Sequence, residues 1–281
     1  MLFRSEGSQG ARYSHRDVQS PQSHDETPLA RAAALLAAAR RVVFLTGAGV
    51  STESGIPDFR SPGGLWTRYD PRKLTFDLFC TSEETRRDYW RLASQTYPVL
   101  RDAQPNAAHR AIVAIERAGK LSRLVTQNID GLHAKAGNSP ELITEIHGSS
   151  LRAGCIACGQ AADREDLHAR LARGEMEVPH CSKCGGPIKP ATISFGQSMP
   201  EKETHEAFAA AEACDLFIVV GSSLAVYPVA SLPGTAARAG APLVIVNNQE
   251  TPKDHLATAL LGGSAGESMS RLVRSAGIAF S

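Results

Sequence analysis

The sequence predicts an α/β fold: a mainly parallel sheet with helices on both faces, and a smaller domain built from a zinc ribbon and a helical insertion. Three observations carry this. Short β-branched apolar runs recur along the chain and alternate with amphipathic helical patterns, as in sheets covered on both faces. Two Cys-x-x-Cys pairs, Cys155 with Cys158 and Cys181 with Cys184, interrupt that rhythm. A stretch of loop followed by helix, residues 61–105, interrupts it once more.

Taken in order, residues 1–27 are rich in Ser, Gln, Gly, His and Arg and read as a disordered tail, because such residues bury too little surface to offset ordering. The tail has no apolar core of a secretory signal. "PLARAAALLAAAR" (28–40) reads as a helix and "RVVFLT" (41–46) as a buried strand bounded by glycine. Further strands are expected at 121–127, 141–148, 215–223 and 242–248, with helices at 106–119, 201–214 and 227–240. The large domain therefore comprises residues 28–60, 106–148 and 191–281, with 61–105 as the helical insertion and 149–190 as the zinc ribbon. The carboxyl ends of parallel strands are where such a sheet binds ligands.

Composition narrows the function. With 30 basic and 29 acidic residues closely mixed, the chain lacks the strongly basic surface on which many nucleic-acid binders rely. No apolar run reaches the roughly 18 residues of a membrane helix, and without a secretory signal the paired cysteines favour metal over disulfides. A cytoplasmic location follows as the expectation.

The cysteine pairs offer four thiolates at structural-zinc spacing, and a four-cysteine site has no open position for catalysis. "TGAGVSTESGIPDFR" (46–60) begins as a dinucleotide turn: Gly47-x-Gly49 after a strand lets backbone N–H groups approach a diphosphate at a helix N-terminus. The third glycine of that fingerprint is replaced by Thr52, and the acid expected about 20 residues on has no counterpart, since Asp70 precedes a proline outside any strand. A hydride-transferring dehydrogenase is thereby disfavoured. "TQNIDGLH" (126–133), His147-Gly148, "GSSLAVYP" (221–228) and "VNNQETP" (246–252) place amides, hydroxyls, an acid and a histidine at other strand ends. Each alone is as compatible with turn chemistry as with catalysis.

Together, with "FGQSMP" (195–200) and the cysteine pairs, these motifs stand in the order found in sirtuins, and the chain resembles that family of NAD-dependent protein deacylases from residue 28 to about 275. The resemblance implies a Rossmann-like NAD-binding domain, with NAD consumed as co-substrate, one structural zinc, and an acylated lysine of a protein or peptide as substrate. It implies that Gly47, Ala48, Gly49 and Thr52 contact the diphosphate, and that Asp58, Phe59 and Arg60 lie on a cofactor loop, Phe59 near the nicotinamide ribose and Arg60 near phosphate. Ile56, Asn128 and Asp130 would form the nicotinamide pocket, with Gln127 and Ile129 beside it. Gly221, Ser222, Ser223 and Asn247 would face phosphate and ribose, and Ala265 the adenine. His147, with Asn128, would be catalytic, His147 as general base on the ribose hydroxyls. Phe195 and Gly196 would belong to an extended strand that pairs with the peptide.

Two departures bear on specificity. Gln197 replaces the Glu usual in the peptide segment, and Tyr89 is followed three places on by Leu92, not by the Arg of relatives that remove acidic acyl groups. The resemblance thus favours acetyl or a longer apolar acyl group. Two rival readings share the same residues: an ADP-ribosyltransferase or NAD glycohydrolase on the same site, and a non-enzymatic zinc-ribbon module with a regulatory nucleotide.

Overall fold

The computed structural model describes residues 27–58 and 70–280. Residues 1–26 of the expected tail, and Phe59 and Arg60 of the expected cofactor loop, lie outside the described residues.

Six strands form one parallel sheet: β1 (Val42–Thr46), β2 (Leu121–Thr126), β3 (Ile143–Glu145), β7 (Leu216–Val220), β8 (Leu243–Val246) and β9 (Ala259–Leu261), in the order β3-β2-β1-β7-β8-β9. Three more, β4 (Gly148–Cys155), β5 (Ala161–Ala162) and β6 (Ile188–Thr192), form an antiparallel sheet in the order β5-β4-β6. Every residue of β1, β7 and β8 is buried, because helices cover both faces. Phe44 turns toward α1 (Pro28–Ala38), α4 (Ala107–Arg117) and α9 (Ala265–Ser275), packing with Leu36, Ile112 and Met269. Val43 and Leu45 turn the other way, toward Ala207 of α7 (Glu201–Ala213) and Leu232 of α8 (Leu232–Arg238). Period-two alternation within one all-apolar strand thus builds two cores.

The helical insertion supplies α2 (Phe76–Thr81) and α3 (Glu83–Asp102). Ser82 caps α3 by accepting from Thr85 N–H at 3.2 Å, with Glu83 and Glu84 favourably placed in the first turn. α3 lies on the small sheet: Trp90 is fully buried with Leu167 of α6 (Arg164–Ala172), and its indole N–H donates to Ile188 O at 2.9 Å.

The structure departs from the sequence expectations at four places. The stretch 141–148 is two strands of different sheets: β3 ends at Glu145, and Gly148 opens β4 with φ +74°, where a Cβ would lie 2.0 Å from Ala191 O. Residues 227–240 are not one helix: a 3-10 turn at Val229–Ser231 precedes α8, which starts only at Leu232. Gly47 is followed by two 3-10 turns, Ala48–Val50 and Thr52–Ser54, so no α-helix begins at the glycine turn. The third glycine of the dinucleotide fingerprint serves helix–strand packing, and here no helix requires it. Finally, β6 ends at Thr192, and Phe195 and Gly196 form a turn, closed by Gln197 N–H donating to Ser194 O at 3.0 Å. β9, β4 and α6 are additions that no strong periodicity announced.

Candidate active site

Sheet order reverses direction of growth between β1 and β7, and the crevice outside their carboxyl ends is the general ligand position in open α/β sheets. There Gly47 N–H donates to Val220 O at 3.0 Å and Gly49 N–H to Gly221 O at 2.9 Å. A Cβ on Gly221, at φ +63°, would fall 2.3 Å from Val50 N; one on Gly47 would fall 2.8 Å from Gly221 O. The two loops therefore cross backbone on backbone. Gly47 and Gly49 have their own N–H groups committed to that crossing, so they offer a ligand close approach, not these donors.

Above the crossing opens a cavity of about 520 Å³. Gly47, Ala48, Gly49, Asp58, Gln127, Asn128, Ile129, His147, Gly221, Ser222, Ser223, Asn247, Phe195 and Gly196 all line it. Thr52, Ile56, Asp130 and Ala265 do not. Thr52 is exposed, its hydroxyl donating to Gly49 O at 3.1 Å, and Ala265 is buried as the first residue of α9. Ile56 is half-buried.

Asp130 lies one layer behind the wall. Its carboxylate accepts Ser51 Oγ–H at 2.7 Å and Leu132 N–H at 2.9 Å, while Asn128 Nδ2 donates to the same Ser51 oxygen at 3.0 Å. Burial pushes the Asp130 carboxyl above its ordinary range, against the pull of these donors. Ser51 was missed in the sequence, where it reads only as a small residue after the glycines; it joins the loop of β1 to the Asn128 turn. Gln127 Nε2 in turn donates to Ser222 Oγ at 2.7 Å.

His147 occupies the hinge between the two sheets, one residue before Gly148, and its carbonyl accepts Ile193 N–H at 2.9 Å. Its Nδ1 lies 3.1 Å from Gln127 O. A carbonyl only accepts, so Nδ1 carries the hydrogen and Nε2 the lone pair. Burial lowers its pKa, so the ring is neutral near pH 7. This is the protonation state of a general base.

The far wall comes from the helical insertion, which sequence reasoning used only for specificity. Leu74, Tyr89, Leu92, Ala93 and Thr96 line it, together with Pro190, Thr192 and Ile193 of the β6 segment. Tyr89 Oη lies 2.9 Å from Thr192 Oγ1.

The four cysteines converge at the end of the small sheet, their Sγ atoms all within 4.8 Å of one another. Cys155 and Cys184 Sγ are 3.5 Å apart, Cys158 and Cys181 3.7 Å. A tetrahedral zinc with bonds of about 2.3 Å needs sulfurs about 3.8 Å apart, so the donor set fits that ion. The N–H groups of Cys184 and Lys183 aim at Cys181 and hold its thiol below the ordinary value, favouring thiolate. Glycine suits position 186, since a Cβ there would stand 2.8 Å from Ala157 Cβ and 3.1 Å from Cys155 Sγ. Among the described residues no helix is long and apolar enough to cross a membrane.

The family model described as "Sir2 family" matches residues 47–228. The chain is 44% identical over 239 residues to NAD-dependent protein deacetylase 1 of Bradyrhizobium diazoefficiens, covering 85% of this chain and 92% of that one. It is 39% identical to NAD-dependent protein deacylase 2 of Archaeoglobus fulgidus, covering 88% and 96%. Among solved structures, a Sir2 variant with deacetylated p53 peptide and 3′-O-acetyl ADP ribose superposes at TM-score 0.81 and 37% identity, over 88% of this chain and 98% of that chain. Sir2 with p53 peptide and NAD+ superposes at 0.79, also at 37% identity, over 88% and 97%.

Proposed function

The chain belongs to the Sir2 family, and from that premise we propose that it is an NAD-dependent protein-lysine deacylase, releasing nicotinamide and O-acyl-ADP-ribose. The observation that carries the reading is His147, hydrogen-bonded through Nδ1 to Gln127 O, on the wall of a cavity at the sheet's switch point. The glycine crossing admits a diphosphate close to the backbone, and Ser222, Ser223 and Asn247 offer uncharged partners for phosphate and ribose. These residue types fit NAD, which when bound supplies the electrophilic sugar carbon and the nicotinamide leaving group.

The chain's own residues then have separable tasks. Asn128 and Ile129 meet the nicotinamide end, and Asp130 works from behind, holding Ser51 and through it the Asn128 amide. His147 Nε2 takes a ribose hydroxyl proton, the kind of step worth about 10²–10⁴-fold. Ala48 and Asp58 border the diphosphate side; Thr52, Ile56 and Ala265, which lie off the cavity wall, and Phe59 and Arg60, outside the described residues, are proposed as further cofactor contacts on the family resemblance alone. Phe195 and Gly196, on the rim, meet the substrate peptide as a turn.

Leu74, Leu92 and Ala93 give this wall an apolar surface, and among the described residues lining the cavity there is no arginine, which supports acetyl or another apolar acyl group over an acidic one. The four cysteines would hold one structural zinc, clipping residues 149–190 together beside the insertion 61–105, with 28–60, 106–148 and 191–281 as the NAD-binding unit. Thiols kept for metal support a cytoplasmic location. Nicotinamide release that requires an acyl-lysine peptide tests the reading.

A further inference from the structure

A buried cation outside the cavity has no task in that chemistry. Arg164 opens α6 and is only 4% exposed. Its Nη2 donates to Ala93 O of α3 at 2.9 Å. Its Cζ lies 4.0 Å from the Tyr97 ring centroid and 5.2 Å from that of Trp90. Trp90, Ala93 and Tyr97, at helical spacing, present one face of α3 to it. Among the described residues no carboxylate accepts from this guanidinium, and Nε and Nη1 are buried without a partner. Burying such a charge is costly, and two aromatic faces offset only part of that cost. An apolar side chain would pack there at lower cost, but would give Ala93 no donor.

Ala93 matters because its turn of α3 belongs to the far wall of the cavity. Leu92, Ala93 and Thr96 all line it. That turn is weak in its own helical ladder. Pro98, inside α3, has no N–H to donate to Ser94 O one turn back. The Thr96 hydroxyl bonds back to Leu92 O at 3.0 Å, a contact that tends to bend helices. Support from outside the helix therefore decides where the turn sits. α6 supplies it: Leu167 shares one core with Trp90 and Ala93, and Arg164, three residues earlier, holds the Ala93 carbonyl.

We propose that Arg164 is a positioning residue for acyl-chain selection: by holding Ala93 O it fixes the turn of Leu92, Ala93 and Thr96, and so the space offered to the acyl group. Arg164 itself does not line the cavity. The inference rests on the deacylase reading, since it assigns the acyl chain to this wall.

Two measurements on the full chain test it. Amide hydrogen exchange followed by mass spectrometry reads the turn itself, independently of any activity. In Arg164→Met, similar in bulk but without a donor, amides of α3 around Ala93 should exchange roughly tenfold faster, the scale of one net hydrogen bond, while those of β1 and β7 stay protected. Protection of α3 equal to the parent's would overturn the proposal. The second reading is kcat/KM for one peptide carrying acetyl, butyryl or octanoyl lysine, at saturating NAD. In the Met variant the acetyl-to-octanoyl ratio should fall roughly tenfold as the loosened wall yields to longer chains, a change within the reach of pocket fit. Arg164→Lys, which keeps the charge and a donor, should hold most of the parent ratio. Equal losses for all three acyl groups, an unchanged ratio, or a Lys variant no better than Met would contradict the positioning role. Should the Met chain fail to fold, Tyr97→Leu removes one ring from Arg164 and carries both readings in the same direction. A parent chain inactive on every acyl peptide would sink the deacylase reading and the acyl assignment with it, while the exchange result still decides whether Arg164 holds the turn.

Discussion

His147 Nδ1 stands 3.1 Å from the carbonyl oxygen of Gln127, and that contact leaves Nε2 as the basic nitrogen of the cavity. His147→Asn, which removes this base but keeps a polar side chain, should lower deacylation kcat by about 10²–10⁴-fold. NAD affinity should change far less, because the residues expected to hold the dinucleotide are untouched. Paired kinetic and binding titrations check this, and near-normal turnover would remove His147 from the base role.

The acid limb of the reaction follows from the same ring. His147 must be neutral to act, and burial lowers its pKa from 6.5. Activity should therefore stay level as pH falls from neutrality through the ordinary histidine value, and decline only below it. A kcat profile whose acid midpoint lies at or above 6.5 would mean that another group limits the rate.

Stability should have its own acid dependence. Burial depresses the His109 pKa from 6.5 to about 4. The unfolded chain then binds a proton that the native chain refuses, so the contribution is complete above pH 6.5 and is lost as pH falls toward 4. Such a shift corresponds to about 3 kcal/mol. Urea titrations at pH 7 and pH 4.5 should differ accordingly, and His109→Phe should flatten part of the difference.

The crossing of the two glycine loops predicts an asymmetric pair of variants. At Gly221 a Cβ would meet Val50 N at 2.3 Å, whereas at Gly240, with φ +93°, it would meet nothing within 4 Å. Gly240→Ala should cost about 1–2 kcal/mol of backbone strain alone. Gly221→Ala adds a backbone clash and should cost about 3 kcal/mol or more, with loss of NAD binding. Equal costs by denaturant unfolding would mean that the crossing yields easily.

Zinc should be present at one ion per cysteine cluster. Chelation should loosen the packing of Trp90 against Ile188 and reduce activity, visible as a Trp fluorescence change that added zinc reverses. Elemental analysis without zinc on a folded, active chain would deny the metal its structural part.

Much of this was readable in the residues, and the exceptions have physical causes. β1, β7 and β8 were plain because strands buried on both faces are continuous apolar runs. β9 was not, since Ala259–Leu261 is three residues at a sheet edge. The stretch 141–148 hid a change of sheet, because only the short Ile146–His147 turn and the positive φ of Gly148 separate β3 from β4. In the site, amides and hydroxyls at strand ends were visible as motifs. Ser51 and the Arg164–Ala93 contact were not, because their meaning lies in partners more than 70 residues away. The zinc cluster was legible from spacing alone, since a tetrahedral ion constrains four sulfurs whatever lies between.

The most direct measurement is the product set formed from NAD with and without an acetyl-lysine peptide, followed by mass spectrometry. Deacylation by the His147 site predicts nicotinamide, free lysine peptide and O-acetyl-ADP-ribose in equal amounts, and little nicotinamide when peptide is omitted. Nicotinamide and plain ADP-ribose formed equally without peptide would contradict it, and would assign the cavity to a glycohydrolase instead.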